Sequence, residues 1–260
     1  MQTIDFTKGI GYEVISFPDG EKHLKINELD RKDTVEIICR ITNSDDLFLL
    51  MQLSDILNRQ CVNVKQIIIP YLMTMRCDRL FSFVQPFSLK IVANVINSLN
   101  AKVLLVEPHS DISLKLINNS EAVYLTGSLS DKNFIYCLPD KGALLRYSKN
   151  NFIHKPIICS KLRDVETGKL NGFEIEELGD YKEGMPICVI DDLCDGGGTF
   201  VGIAKKLREL NPKQLTLAIT HAVQRMGIER VAEVYDNVII TNSYKDWDNL
   251  PDNVAISHII

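Results

Sequence analysis

The stretch Cys188 to Phe200, CVIDDLCDGGGTF, constrains this chain more than any other. It opens on a short apolar run, Ile187 to Ile190, of the kind that forms a buried parallel strand. Asp191 and Asp192 stand where that strand is expected to end, and Asp195 precedes three glycines and Thr199. A helical pattern follows, with Phe200, Ile203, Ala204 and Leu207 on one face and Lys205, Lys206 and Arg208 elsewhere. Strand, acidic pair, glycine turn and helix together make a cradle for a phosphorylated ligand. Glycines let backbone N–H groups approach phosphate oxygens, and the helix N-terminus adds partial positive charge.

The acids need a separate reason, because carboxylates repel phosphate. They fit if they accept hydrogen bonds from sugar hydroxyls, or hold a Mg²⁺ that also touches the ligand. A phosphate loop with acids directly upstream therefore points to a sugar phosphate rather than a bare nucleotide.

Composition narrows the class. At 260 residues the chain suits two α/β halves, and its apolar content of 45% includes no run long enough to cross a bilayer. The start, MQTIDFTKG, has neither the basic opening nor the apolar core of a signal peptide. A net charge of −5 argues against a general nucleic-acid binder. The seven cysteines, at 39, 61, 77, 137, 159, 188 and 194, form no CxxC pair and mostly adjoin apolar runs, so buried free thiols are expected rather than zinc or disulfides. These features predict a soluble cytoplasmic enzyme with no membrane and no nucleic-acid partner.

The loop resembles the phosphoribosyl diphosphate (PRPP) binding loop shared by type I phosphoribosyltransferases and ribose-phosphate pyrophosphokinases, the PRPP synthetases. Residues 12 to 42 carry ISFPDGEKHLKIN and then TVEIICRIT. Alternation of His23, Lys25 and Asn27 with Leu24 and Ile26 predicts a strand leaving a Pro18-Asp19-Gly20 turn, with Val35 to Ile41 as the second strand of an ordinary hairpin. Phe17, Asp19 and Glu21 are similar to the F-x-D-G-E segment of PRPP synthetases, which phosphoribosyltransferases lack. In that family the segment reaches a neighbouring subunit's ATP site, with the phenylalanine on the adenine.

Leu47, Leu50, Leu53 or Ser54, and Leu57 predict a helix over 45–59, and KQIIIP over 65–70 a buried strand. Beyond it, Arg76, Asp78 and Arg79 resemble the family's PYxxxxRQDRR loop on ATP, with Cys77 in the glutamine place and Leu80 in that of the last arginine. A helix presenting Phe87, Ile91, Val92, Val95 and Leu99 follows, then strand Lys102 to Glu107. His109, just past that strand, resembles the histidine that contacts the Mg²⁺–nucleotide in the family. Residues 118 to 130 loosen into a join between an ATP-side domain, 1–126, and a sugar-phosphate-side domain, 127–260.

The second half is expected to open with strand Phe134 to Leu138 and the turn Pro139-Asp140-Lys141-Gly142, similar to the family's SPDxGG, whose aspartate helps hold Mg²⁺. A helix over 142–148 and a strand over 156–160 follow. Lys161 and Arg163, past that strand's end and leading into a flexible hairpin, match a K-x-R pair that stabilises the transferring diphosphoryl group in PRPP synthetases. After the phosphate loop come strand 214–221, helix 228–234, strand 238–241 and an irregular tail.

The resemblance implies an α/β protein of two similar phosphoribosyltransferase-like domains, each on a mostly parallel sheet, with the site between them. It implies transfer of the β,γ-diphosphoryl group of Mg·ATP to the anomeric hydroxyl of ribose 5-phosphate, giving PRPP and AMP. Lys161 and Arg163 are the implied catalytic pair. Phe17, Asp19, Glu21, Arg76, Asp78, Arg79 and His109 are implied for ATP. Asp191, Asp192, Asp195, Gly196, Gly197, Gly198 and Thr199 are implied for the sugar phosphate, and His109, Asp140 and Asp191 for Mg²⁺. ATP sites completed across subunits imply at least a homodimer. Gly196 replaces a threonine of the family loop, clearing space that would suit a larger 5′ substituent such as that of ADP-ribose, a route to NAD salvage; a catalytically silent regulatory member is the other alternative.

Overall fold

The computed structural model describes residues 1–125, 133–148, 152–163 and 170–260, and these divide into two compact units, Met1–Tyr124 and Leu125–Ile260. In the first unit the elements are β1 (Gln2–Asp5), β2 (Tyr12–Ser16), β3 (Lys22–Ile26), β4 (Thr34–Ile38), α1 (Ser44–Gln60), β5 (Asn63–Ile69), α2 (Ser88–Asn97), β6 (Lys102–Val106), α3 (Ile112–Leu116) and β7 (Ser120–Val123). Its sheet runs β1-β4-β5-β6-β7 with every pairing parallel. Ile37, Ile67, Val103 and Leu105 are buried in it, as parallel strands covered by helices require.

The expected hairpin exists with a different partner. β3 pairs antiparallel with β2, Tyr12 opposite Ile26 and Ser16 opposite Lys22, while β4 lies in the parallel sheet. Only Leu24 of β3 is fully buried, and Gln52 of α1 moors the hairpin there. Its Oε1 accepts from the Leu24 N–H at 2.8 Å and its Nε2 donates to the Lys22 carbonyl at 2.9 Å.

α1 starts at a capping box, with the Asn43 side chain accepting from Asp46 N–H and the Asp46 carboxylate returning the bond, and buries Leu49, Leu50, Leu53 and Leu57. α2 buries Leu89, Val92, Ala93 and Ile96; of the expected face, Val92 and Leu99 are buried and Phe87 packs against the core, whereas Ile91 is exposed. The helix starts at Ser88, so its i, i+3, i+4, i+7 stripe begins at Leu89. The expected loose join is partly a strand, since β7 pairs with β6 from Val103 opposite Ser120; residues 126–130 of that join lie outside the described residues.

The second unit contains β8 (Ile135–Leu138), α4 (Lys141–Arg146), β9 (Ile157–Arg163), β10 (Leu170–Glu177), β11 (Ile187–Cys194), α5 (Gly198–Arg208), β12 (Leu215–Ala222), α6 (Arg225–Ala232), β13 (Asn237–Thr241) and β14 (Val254–Ser257). The sheet order is β10-β9-β8-β11-β12-β13-β14, parallel except for the β9–β10 pair.

Three boundaries differ from the sequence expectation. β11 continues through both acids to Cys194, because Asp191 is still in register with Ile219 of β12. β9 continues through Lys161 to Arg163, because antiparallel pairing with β10 extends it. The irregular tail adds β14, parallel to β13 with Val238 opposite Val254. The cysteines are free thiols; Cys39, Cys137, Cys159, Cys188 and Cys194 are buried and Cys61 is exposed. No helix among the described residues is long and apolar enough to cross a membrane.

Candidate active site

The acid pair sits in the middle strand of the second sheet, where the backbone is bonded on the β12 side up to Cys194. Asp192 is buried and Asp191 nearly so. Both face Arg146, the last residue of α4, whose Nη1 lies 2.7 Å from Asp191 Oδ1 and 2.8 Å from Asp192 Oδ1. Asp191 Oδ1 also accepts from the Asp192 N–H at 2.9 Å. Burial, and then the neighbouring Asp192 charge, push the Asp191 carboxyl well above the usual carboxylate range, with Arg146 pulling against them. Burial works against the Arg146 charge too, but the two carboxylates outweigh it and hold the guanidinium protonated.

Sequence reasoning missed Arg146. The sequence offers only a partial signal: Arg146 stands one helical turn after the apolar Ala143, on the stripe that the fold turns inward.

The glycine loop follows at the end of β11. Gly197 adopts a left-handed conformation, φ +77°, and caps α5, so the chain turns there in a way few side chains tolerate. α6 supports the turn from behind. Cβ atoms added at Gly197 would stand 2.8 Å from the Gly227 carbonyl, and Arg230 Nη1 donates to the Gly196 carbonyl at 3.3 Å. Gly196 itself is open: the nearest atom to an added Cβ is that same Arg230 Nη1, at 4.0 Å. Gly198 is exposed, and Asp195 and Thr199 are half-buried around the start of α5.

Lys161 and Asp140 come together. Lys161 Nζ lies 2.7 Å from Asp140 Oδ2, while Asp140 Oδ1 accepts the Ala143 N–H at 3.0 Å and so caps α4. Burial raises the Asp140 carboxyl, but the Lys161 and Ala143 hydrogen bonds and the Lys161 and Arg146 charges outweigh it and leave it below its ordinary value. One short helix thus carries Asp140 at its start and Arg146 at its end, linking Lys161 to the acid pair. Arg163 closes β9 opposite Leu170.

In the first unit Asp78 is buried and Arg79 Nε donates to its Oδ1 at 2.9 Å. Burial raises the Asp78 carboxyl; the Ser110 hydroxyl, Arg79 and the His109 charge together hold it lower than usual. These residues lie in the segments after β5 and β6, the carboxyl ends of neighbouring parallel strands, where open α/β sheets bind ligands. Arg76 is exposed nearby in sequence, and Arg79 stands 5.8 Å from the Phe81 ring centre.

Phe17, Asp19 and Glu21 occupy a different element, the tip of the β2–β3 hairpin. The Phe17 N–H donates to the Glu21 carbonyl at 2.8 Å, and the Asp19 Oδ1 accepts the Glu21 N–H at 3.1 Å. All three are exposed. Among the described residues no three His, Cys, Asp or Glu side chains gather around one point as a metal cage, and the expected trio divides between units, His109 in the first and Asp140 and Asp191 in the second.

Comparison with known proteins places this geometry. Residues 7–99 match the model for the N-terminal domain of ribose phosphate pyrophosphokinase. A ribose-phosphate pyrophosphokinase of Campylobacter jejuni is 30% identical over 259 residues, 93% of this chain and 82% of its own. One from Pyrococcus furiosus is 26% identical over 245 residues, 89% of this chain and 85% of its own. The crystal structure of phosphoribosylpyrophosphate synthetase from Mycobacterium smegmatis superposes with a TM-score of 0.75 at 21% identity, over 95% of this chain and 86% of that one, which shows a shared fold. With a relative this similar over nearly its whole length, the chain belongs to the ribose-phosphate pyrophosphokinase family of diphosphotransferases.

Proposed function

We propose that this enzyme transfers the β,γ-diphosphoryl group of Mg·ATP to the anomeric hydroxyl of ribose 5-phosphate, forming PRPP and AMP. The observation that carries the reading is the union of a buried acid pair with a left-handed glycine turn at the head of α5. Together they offer hydroxyl acceptors and phosphate donors on consecutive residues.

Little of the reaction is covalent work for the protein: it aligns the sugar O1 with the β-phosphorus and neutralises charge in flight. Asp191 and Asp192 accept from the ribose hydroxyls. Backbone N–H groups of Asp195 to Thr199 and the Thr199 hydroxyl hold the 5-phosphate. Lys161 and Arg163 take the charge of the moving group, and Asp140 stores Lys161 in an ion pair until it is needed. Asp78, Arg79, Arg76 and His109 serve the nucleotide, completed by Phe17, Asp19 and Glu21 of a second copy, whose exposure on a free hairpin tip supports that reading. The donor chemistry fits Mg²⁺: hard carboxylate oxygens at Asp140 and Asp191, with His109 on the nucleotide side, suit an ion that takes most ligands from phosphates and water. When bound, the ion supplies positive charge to the phosphates.

The open space at Gly196 favours a second acceptor, a ribose with a larger 5′ substituent such as ADP-ribose. AMP release from Mg·ATP, followed by chromatography with ribose 5-phosphate and ADP-ribose in separate tubes, tests both. AMP with ribose 5-phosphate supports the first reading and AMP only with ADP-ribose the second. No AMP with either overturns both in favour of a regulatory relative.

A further inference from the structure

Consecutive residues on a strand direct their side chains to opposite faces of the sheet. Asp191 and Asp192 are such a pair, inside β11, and their negative charges also repel. Yet Arg146 Nη1 draws the Oδ1 atoms of both to one point, at 2.7 and 2.8 Å, with its side chain only 5% exposed. The guanidinium is itself held from a distance: α4 is capped by Asp140, and Asp140 is paired with Lys161.

We propose that Arg146 is a positioning residue that aims the two carboxylates at adjacent hydroxyls of the sugar, so that the site selects a vicinal cis-diol over a sugar lacking one of them. This rests on the sugar-phosphate reading of the acid pair. A guanidinium is planar and presents several N–H donors in fixed directions, so it sets where each carboxylate points. A lysine ammonium keeps the charge but not the geometry, which makes Arg146→Lys the informative change. A residue that only stabilises the fold would alter the amount of active enzyme and leave the choice of sugar alone.

The test is kinetic, on the intact enzyme with Mg·ATP. The ratio of kcat/KM for ribose 5-phosphate to that for 2-deoxyribose 5-phosphate is measured in wild type, Arg146→Lys and Arg146→Ala, with KM for ATP and melting curves alongside. If ADP-ribose is the acceptor that releases AMP, it and its 2′-deoxyribosyl counterpart replace the pair. Arg146→Lys is expected to melt as a folded protein, keep its KM for ATP, and lose roughly ten- to hundredfold of the sugar discrimination, the worth of one charge-assisted hydrogen bond. In Arg146→Ala, millimolar guanidinium ion is expected to restore part of the ratio. An unchanged ratio in a folded Arg146→Lys protein overturns the proposal, as does an equal loss with both sugars. If Arg146→Lys does not fold, Arg146→Gln, which fills the space with a single amide, is read by the same ratio and the same criterion. A wild type that turns over none of these sugars removes the sugar-phosphate reading itself; a wild type that discriminates, beside variants that discriminate equally, removes only the role of Arg146.

Discussion

Gly227 and Asp195 touch so closely that a methyl group on Gly227 would overlap the Asp195 carbonyl oxygen. The first turn of α6 is therefore the floor beneath the glycine loop proposed to hold the 5-phosphate, and the absence of a side chain there allows the loop its path. Gly227→Ala is expected to cost about 1–3 kcal/mol, the usual range for overpacking, and to raise KM for the sugar phosphate while sparing KM for ATP. Urea unfolding and paired KM measurements check it. An unaltered sugar KM would mean that the floor can give way.

Lys161→Ala removes the cation proposed to meet the diphosphoryl group. Because Lys161 is partly exposed, the fold is expected to survive, while kcat falls roughly a hundredfold or more, as when one electrostatic donor to a transition state is lost. Steady-state kinetics beside a melting curve separate the two effects. Wild-type kcat in the variant would remove Lys161 from catalysis.

Phe17→Ala alters an exposed residue at a hairpin tip, so stability should change by no more than about 0.5 kcal/mol. If that tip serves a second copy's ATP site, KM for ATP rises and KM for the sugar phosphate does not. Specific activity of wild type should also fall on dilution, together with dissociation seen by sedimentation. A monomer with full activity would contradict this arrangement.

Asp236 ties α5 to the start of β12. Arg208 donates to it at 2.8 and 3.1 Å, and the Leu215 N–H at 2.6 Å. The Arg208 hydrogen bonds, aided by the Leu215 N–H and the Arg208 charge, hold the carboxyl below its ordinary value against the effect of burial. A carboxyl with a lowered native pKa stabilises the fold while the pH stays above its unfolded pKa, and that contribution fades as pH falls through the native value. Asp236→Asn is thus expected to melt below wild type at neutral pH, with the gap closing below about pH 4. Melting temperatures across pH 3–8 measure it; a gap that persists in acid would assign the loss to something other than the charge.

Much of this was legible in the sequence. Apolar runs such as KQIIIP and KVLLVE mark parallel strands because both sheet faces are covered, and the glycine loop announces its turn through residue type alone. Where reading failed, the missing information was a partner. Asp191 and Asp192 look like a strand's end until β12 is seen beside them, and Lys161 looks like loop until β10 pairs with β9. β7 and β14 are short, half-exposed edge strands, visible only once a neighbouring edge offers hydrogen bonds. Arg146 was passed over because a charge near the end of a helix reads as solvated, and only the fold supplies the two carboxylates that it faces.

That β11 carries its acids inside the sheet bears on how such an enzyme can change. The backbone of Asp191 is pinned to β12, so an acid pair that holds a sugar as proposed cannot drift gradually toward a differently shaped one. Mutational exploration is left to positions whose side chains are free to vary, above all Gly196, where a new substituent meets little but Arg230. On the proposed reading of the site, the ring of the acceptor is under tight inheritance, and whatever hangs from its 5′ carbon is open to selection.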